Sequence, residues 1–316
     1  MKRFKNILVV HDQRALSNVA LERAAALAKR NVARLTLVEV IEDFPASMRM
    51  LITMMPLQEL RELVINERRE QLECVVSPIR KEGIPVDAIV LIGAPFYEII
   101  QEVLREKHDL VMMMAEGKSG LREQIFGSTS LHLMRKCPCP VWVMKPEPHK
   151  PRARILAAVD INSSDEQDSS LNTMIMELAT SLAELEQSEL HVVHAWANIP
   201  AGFLRTHAWM AGEEVQQLAG DIMTLCRRRL DEFVGSHLLE DMNCQVHFIV
   251  GEAKAVIPRL AATEHVDLII MGTVCRTGLA GFFIGNTAEN VLQQVNCSVL
   301  VLKPEGFVSP IKLDGE

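Results

Sequence analysis

Short apolar runs rich in β-branched residues recur along the chain, separated by longer stretches with helical spacing. In the first half the runs are Ile7–Val10, Leu35–Ile41, Val86–Ile92, Leu110–Ala115 and Val141–Lys145. They are continuous rather than alternating, the pattern of strands covered on both faces of a parallel sheet. Between them Leu16, Ala20, Ala24 and Leu27 keep helical spacing. So do Leu57, Leu60 and Val64, and then Leu72, Val75 and Ile79. The second half predicts strands near 155–159, 190–195, 245–250, 267–271 and 299–303, again with helices between. Alternating βαβ units joined by right-handed crossovers predict an α/β fold with a doubly wound sheet in each half.

The two halves repeat one another. Ile7-Leu8-Val9-Val10-His11-Asp12 matches Ile155-Leu156-Ala157-Ala158-Val159-Asp160 at an offset of 148. Cys139-Pro140-Val141-Trp142-Val143-Met144-Lys145 matches Cys297-Ser298-Val299-Leu300-Val301-Leu302-Lys303 at 158, so the second copy carries an insertion in its first half. The period is far too long for a solenoid and marks a duplicated domain. Glu147 to Arg154, with Pro148 and Pro151, reads as the linker. The expected division is residues 1–147, residues 152–306 and a C-terminal tail, 307–316.

Composition narrows the class. With 316 residues, 48% hydrophobic and 23% charged, the chain has the proportions of a globular protein long enough for two cores. The formal net charge of −8 argues against general affinity for nucleic acid or anionic membranes. Residues 1–150 carry 22 Lys/Arg against 19 Asp/Glu, and the remainder 11 against 22, so the halves differ in sign and could favour packing on each other. Seven cysteines include no CxxC pair, and Cys137 and Cys139 flank Pro138 too tightly for a zinc knuckle. Reduced thiols in the cytosol are the plain expectation. The apolar run at Ile7–Val10 is too short for a signal peptide, and no stretch approaches the ~18 residues of a membrane span. A cytoplasmic, soluble protein is expected.

Open parallel sheets bind ligands beyond the carboxyl ends of their strands. Two features of each half point there: the Asp ending the first strand, and the loop after the fourth. That loop runs Met114-Ala115-Glu116-Gly117-Lys118-Ser119-Gly120 to Gly127-Ser128-Thr129 in the first half. In the second it runs Gly272-Thr273-Val274-Cys275-Arg276-Thr277-Gly278 to Gly285-Asn286-Thr287. Glycines let a backbone approach a phosphate, and a helix start faces an anion. Neither loop is a Walker A sequence, neither half has GxGxxG after its first strand, and no Ser-His-Asp elbow, HExxH or paired-carboxylate signature appears. His191 and His194 form HxxH, but on a strand i and i+3 point to opposite faces, so two structural histidines outweigh a metal site. Asp12 and Asp160 have the plainer reading of turn caps. Met48, Met50, Met54 and Met55 are either soft packing or a plastic groove for an acyl chain or partner helix. Arg227-Arg228-Arg229 reads as a solvated helix face, and Cys275 as an inert loop thiol ahead of a redox-sensitive one.

The tandem repeat, the Asp12 and Asp160 positions and the loop-to-last-strand segments resemble the universal stress protein family in its tandem two-domain, E-type form. The resemblance covers nearly the whole chain. It implies a five-stranded parallel sheet flanked by helices in each unit, with the two units packed about a pseudo-twofold axis. Family members that bind ATP use G-x2-G-x9-G-[S/T], an Asp ending the first strand, and a small residue ending the second. The first unit keeps Asp12, Val40, Gly117, Gly127 and Ser128, with Met114 in place of the first glycine. The second keeps Asp160, Gly272 and Gly285, with Ala195 ending its second strand, Cys275 at the second glycine and Asn286 at the Ser/Thr position. The resemblance therefore implies a stress-response protein that binds a small ligand, with ATP as the candidate and no metal. If either site takes ATP, the retained glycines and hydroxyl favour the first. A slow ATPase, or a binding module for an acyl-bearing metabolite or protein through residues 48–55, are the alternatives, and homo-oligomerisation is open.

Overall fold

In the computed structural model the described residues are 4–12, 17–43, 56–115, 126–146, 152–162, 166–197, 212–239, 242–273 and 285–313. They form two compact units, the first including the C-terminal residues from Phe307 onward. In the first unit β4 (Leu110–Met114) and β5 (Val141–Met144) are apolar and buried throughout, and β1 (Asn6–Val10) is buried at its three central residues. With β2 (Arg34–Ile41) and β3 (Val86–Ile92) they make a parallel sheet in the order β3-β2-β1-β4-β5. The order reverses between β1 and β4, which places a crevice at their carboxyl ends.

Helices α1 (Ser17–Asn31), α2 (Leu57–Lys81), α3 (Pro95–Glu106) and α4 (Ser128–Lys136) connect these strands. Ala20, Ala24 and Ala28 recur every four residues on α1 and are buried, a small-residue stripe that lets the helix lie close to β1 and β4. Helix α2 is one element rather than two, and its buried residues are Leu72 and Val76. The expected Val75 and Ile79 are half-buried one step round the helix, and Leu57 is exposed. Strand β3 also departs from the continuous apolar pattern: Asp87 is exposed, because β3 lies at the outer end of the sheet and is incompletely covered.

The second unit repeats this plan with β6 (Arg154–Ala158), β7 (Glu189–Trp196), β8 (Cys244–Val250), β9 (Leu268–Gly272) and β10 (Ser298–Leu302), ordered β10-β9-β6-β7-β8. All their pairings are parallel. Its helices are α5 (Glu166–Glu186), α6 (Gly212–Gly235), α7 (Ala253–Thr263) and α8 (Asn286–Gln294). The duplication extends to backbone detail. Val32 and Gln187 follow the first helix of each unit with φ of 52° and 51°, and Lys107 and His265 follow the third with 55° and 50°. Gly93 and Gly251, after β3 and β8, share φ near 150° (151° and 149°), a conformation that favours glycine. Residues 48–55, Gly117 and Cys275 lie outside the described residues.

Candidate ligand site of the second unit

Strand β6 ends at Ala158, and the chain turns at Asp160, where the sheet order reverses between β6 and β9. The Asp160 carboxylate accepts a hydrogen bond from the backbone N–H of Asn162 at 3.1 Å, a turn built by the side chain itself. Asn172, on α5 and buried, closes the same turn from the other side. Its Oδ1 accepts from Asp160 N–H at 3.0 Å, and its Nδ2 donates to Asp160 C=O at 2.7 Å. Both backbone groups of Asp160 are thus held by one amide. Asn172 was not among the residues expected from sequence. The available signal was a lone amide in the otherwise apolar face of α5 that carries Leu171, Ile175 and Met176.

A cavity of about 370 Å³ opens at this switch point. It is lined by Ala158, Asp160 and Asn172, by Val193 and Ala195 of β7, by Met271 and Gly272 of β9, and by Gly285, Asn286, Thr287 and Ala288 at the start of α8. Leu171, Ile175, Ala253 and Ile257 supply its apolar walls. Five residues singled out from sequence, Asp160, Ala195, Gly272, Gly285 and Asn286, therefore share one cavity. Gly272 is there for space rather than conformation. A Cβ on it would stand 2.6 Å from Leu171 Cδ2. Gly285, the N-cap of α8, has φ −58° and ψ 140°, accessible to any residue, and no side chain caps the helix. The first N–H groups of α8 are consequently directed toward the cavity end of the helix. Asp160 is the one titratable residue among the described lining residues.

Behind this helix start, Lys303 is buried and donates from Nζ to Thr273 Oγ1 at 2.6 Å. Gly285 N–H reaches Thr273 C=O at 3.2 Å, so Thr273 ties the end of β9 to the helix start through its carbonyl and to Lys303 through its hydroxyl.

The matching positions of the first unit are arranged differently. Asp12 is exposed beyond β1, and Val40 is half-buried on β2. Gly127 caps α4 in an extended conformation, and Ser130 Oγ donates to its carbonyl at 2.9 Å; Ser128 is exposed. Met114 replaces Gly272, and its side chain is 92% buried. Lys145 lies over the Phe126 ring at 4.5 Å, where Lys303 instead meets Thr273. The first unit therefore carries a buried methionine at the position where the second has a glycine.

The HxxH residues do not meet. His191 pairs through Nδ1 with His247 Nε2 at 3.0 Å, the rings stacked at 5.2 Å. His194 Nδ1 donates to Val159 C=O at 3.2 Å, which sets its tautomer. Burial lowers the pKa of all three. Arg227 and Arg228 pair with Asp231 and Glu232 one turn away on α6, as a solvated face does.

A doubly wound parallel sheet of this order, with a crevice at its switch point, defines an α/β domain of the open, twisted-sheet class. The family model described as "Universal stress protein family" matches residues 3–145 and 151–303, and the chain belongs to that family. It is similar to "Universal stress protein E" of Escherichia coli (strain K12), 31% identical over all of this chain and 99% of that one. A homologue of that protein in Haemophilus influenzae is 28% identical over 96% of this chain and 98% of its own. Among solved structures, a protein of unknown function from Pseudomonas aeruginosa PAO1 aligns with a TM-score of 0.75 at 28% identity, covering 96% of this chain and 94% of that one. A universal stress protein from Archaeoglobus fulgidus shares the fold, with a TM-score of 0.59 at 21% identity over 94% of this chain and 98% of its own. Among the described residues no helix is long and apolar enough to cross a membrane.

Proposed function

We propose that this protein acts in the stress response by binding a small ligand of the adenine-nucleotide class in the second unit, rather than by catalysing a reaction. The observation that carries this reading is the convergence of Asp160, Ala195, Gly272, Gly285 and Asn286 on one cavity at the sheet's switch point. The apolar walls suit a flat base, the Asp160 carboxylate suits donors such as ribose hydroxyls, and the open start of α8 suits a phosphate. Asp160 already accepts a turn hydrogen bond, and the described lining residues offer no second titratable partner for acid–base chemistry. The reading therefore favours binding over turnover. It also moves the preferred site from the first unit, which carries Met114 at the position of Gly272, to the second.

Calorimetric titration of the full chain with ATP, AMP and adenosine tests this, alongside a native mass spectrum that also reads the oligomeric state. Heat with at least one of the three, lost in Asp160→Ala, is the expected result. No heat with any of them would overturn the proposal.

A further inference from the structure

At the joint between α4 and β5 the chain reads Cys137-Pro138-Cys139-Pro140. Cys137 is the C-cap of α4 in an extended conformation, φ −67° and ψ 133°, and its N–H donates to Leu133 C=O at 2.9 Å. The chain bends at Pro138 and Cys139, and the two sulfurs lie 3.5 Å apart across that bend. Neither is in a disulfide, and both side chains are buried, Cys137 completely and Cys139 with 8% of its surface open.

The second unit supplies an internal comparison. Its joint is Val295-Asn296-Cys297, with Val295 as C-cap at φ −88° and ψ 143° and its N–H on Val291 C=O at 3.0 Å. Val295 is buried as Cys137 is. The same backbone joint is therefore made with one sulfur and a valine, and packing at this place does not call for a second thiol.

We propose that Cys137 and Cys139 are a dithiol–disulfide pair, oxidised within the folded protein by a small hydroperoxide such as hydrogen peroxide. Cys139, the less buried of the two residues, attacks as the thiolate. An S–O bond forms, the O–O bond breaks, and a sulfenic acid and hydroxide result. Cys137 then attacks that sulfur, an S–S bond replaces S–O, and its proton leaves with the departing oxygen as water. Two thiols become one disulfide and one peroxide becomes two waters. The sulfurs have to close from 3.5 Å to about 2.05 Å, a change within the reach of side-chain rotation. A ring of three residues gains little from loop closure, so the bond works as a reversible modification rather than as a staple. Hydrogen bonding to Cys137 and burial hold the Cys139 thiol well above its ordinary range. Oxidation is accordingly slow at neutral pH and faster in alkali, because only the thiolate reacts.

The test uses the native full-length chain. It is treated with hydrogen peroxide, quenched, denatured, alkylated and mapped by mass spectrometry. The expected peptide spanning Cys137 and Cys139 is lighter by two hydrogens, unalkylated, and restored by a thiol reductant. Its rate of formation rises with pH, while Cys297 in the same sample remains alkylatable. Cys137→Val, which copies the second unit's joint, leaves Cys139 as a sulfenic or sulfinic acid with no disulfide. Alkylation of Cys137 and Cys139 as complete as that of Cys297 would overturn the proposal. So would Cys139 passing to sulfinic acid in the unaltered protein while Cys137 stays free, or a disulfide from either to another cysteine.

Discussion

Leu171 and Gly272 are packed so that Leu171 Cδ2 occupies the place beside which any Cβ on residue 272 would fall, at 2.6 Å. Both line the second unit's cavity. The glycine lets α5 sit against the end of β9 and still leaves room beneath it. The first unit has Met114, a buried residue, at the matching position.

This relationship predicts the result of exchanging the two residues. Gly272→Met should drive Leu171 into the cavity, abolish the heat of ligand binding and cost roughly 1–3 kcal/mol of stability through overpacking. Met114→Gly should open the first unit, giving a second binding event in calorimetry at the expense of a cavity penalty in denaturant melts. If Gly272→Met binds ligand as the parent does, the cavity is not the site.

Asn172 should matter more than its distance from any charge suggests. Asn172→Ala removes both hydrogen bonds to the Asp160 backbone, at a cost of about 1–3 kcal/mol by urea denaturation. Asn172→Asp keeps the acceptor but loses the donor to Asp160 C=O and adds a charge beside Asp160, so it should weaken binding more than it lowers stability.

The C-terminal residues belong to the first unit, and one hydrogen bond shows how. Gln101 on α3 is buried and donates from Nε2 to Lys312 C=O at 2.6 Å and to Tyr97 Oη at 2.9 Å. Truncation after Gly306 should speed amide hydrogen exchange in residues 95–106 while leaving 253–263 of the second unit unchanged. Equal exchange in both helices would show that the tail contributes nothing to the first unit.

Acid should destabilise the fold through its buried histidines. Burial lowers the pKa of His108, His191, His194 and His247 below the ordinary value near 6.5, so each is held neutral when folded. The unfolded chain then binds more protons as pH falls below about 6.5, and stability falls with it. Above that pH the contribution is fully present. Melting temperature should be flat from pH 8 to 7 and drop toward pH 5, with a shallower drop in His194→Phe.

Val32 ends α1 at φ 52° with its side chain 73% exposed, a conformation that a β-branched residue adopts at a cost. Val32→Gly should raise stability by about 1 kcal/mol, read as a higher denaturation midpoint at unchanged slope.

Much of this architecture was legible before any coordinates. Ile7–Val10 and Val299–Leu302 are apolar at every position, and only a strand covered on both faces can use such a run. The offset repeats then required two units of one plan. Asp160, Gly272 and Gly285 could be singled out because turns, close approaches and helix starts restrict which residues occur there.

Other features needed the fold. The half-buried residues of β8 and the exposed Asp87 of β3 take their reason from strand order, which puts both strands at the ends of their sheets. Asn172 and Asp160 are twelve positions apart, and only the crossing of α5 over β6 brings the amide onto the turn. Whether residue 272 has room for a side chain turns on where Leu171 lies. Local sequence sets periodicity and chain direction, since those depend on a residue and its near neighbours. Space at a site depends on volumes contributed by distant segments, and that sum exists only once they are packed together.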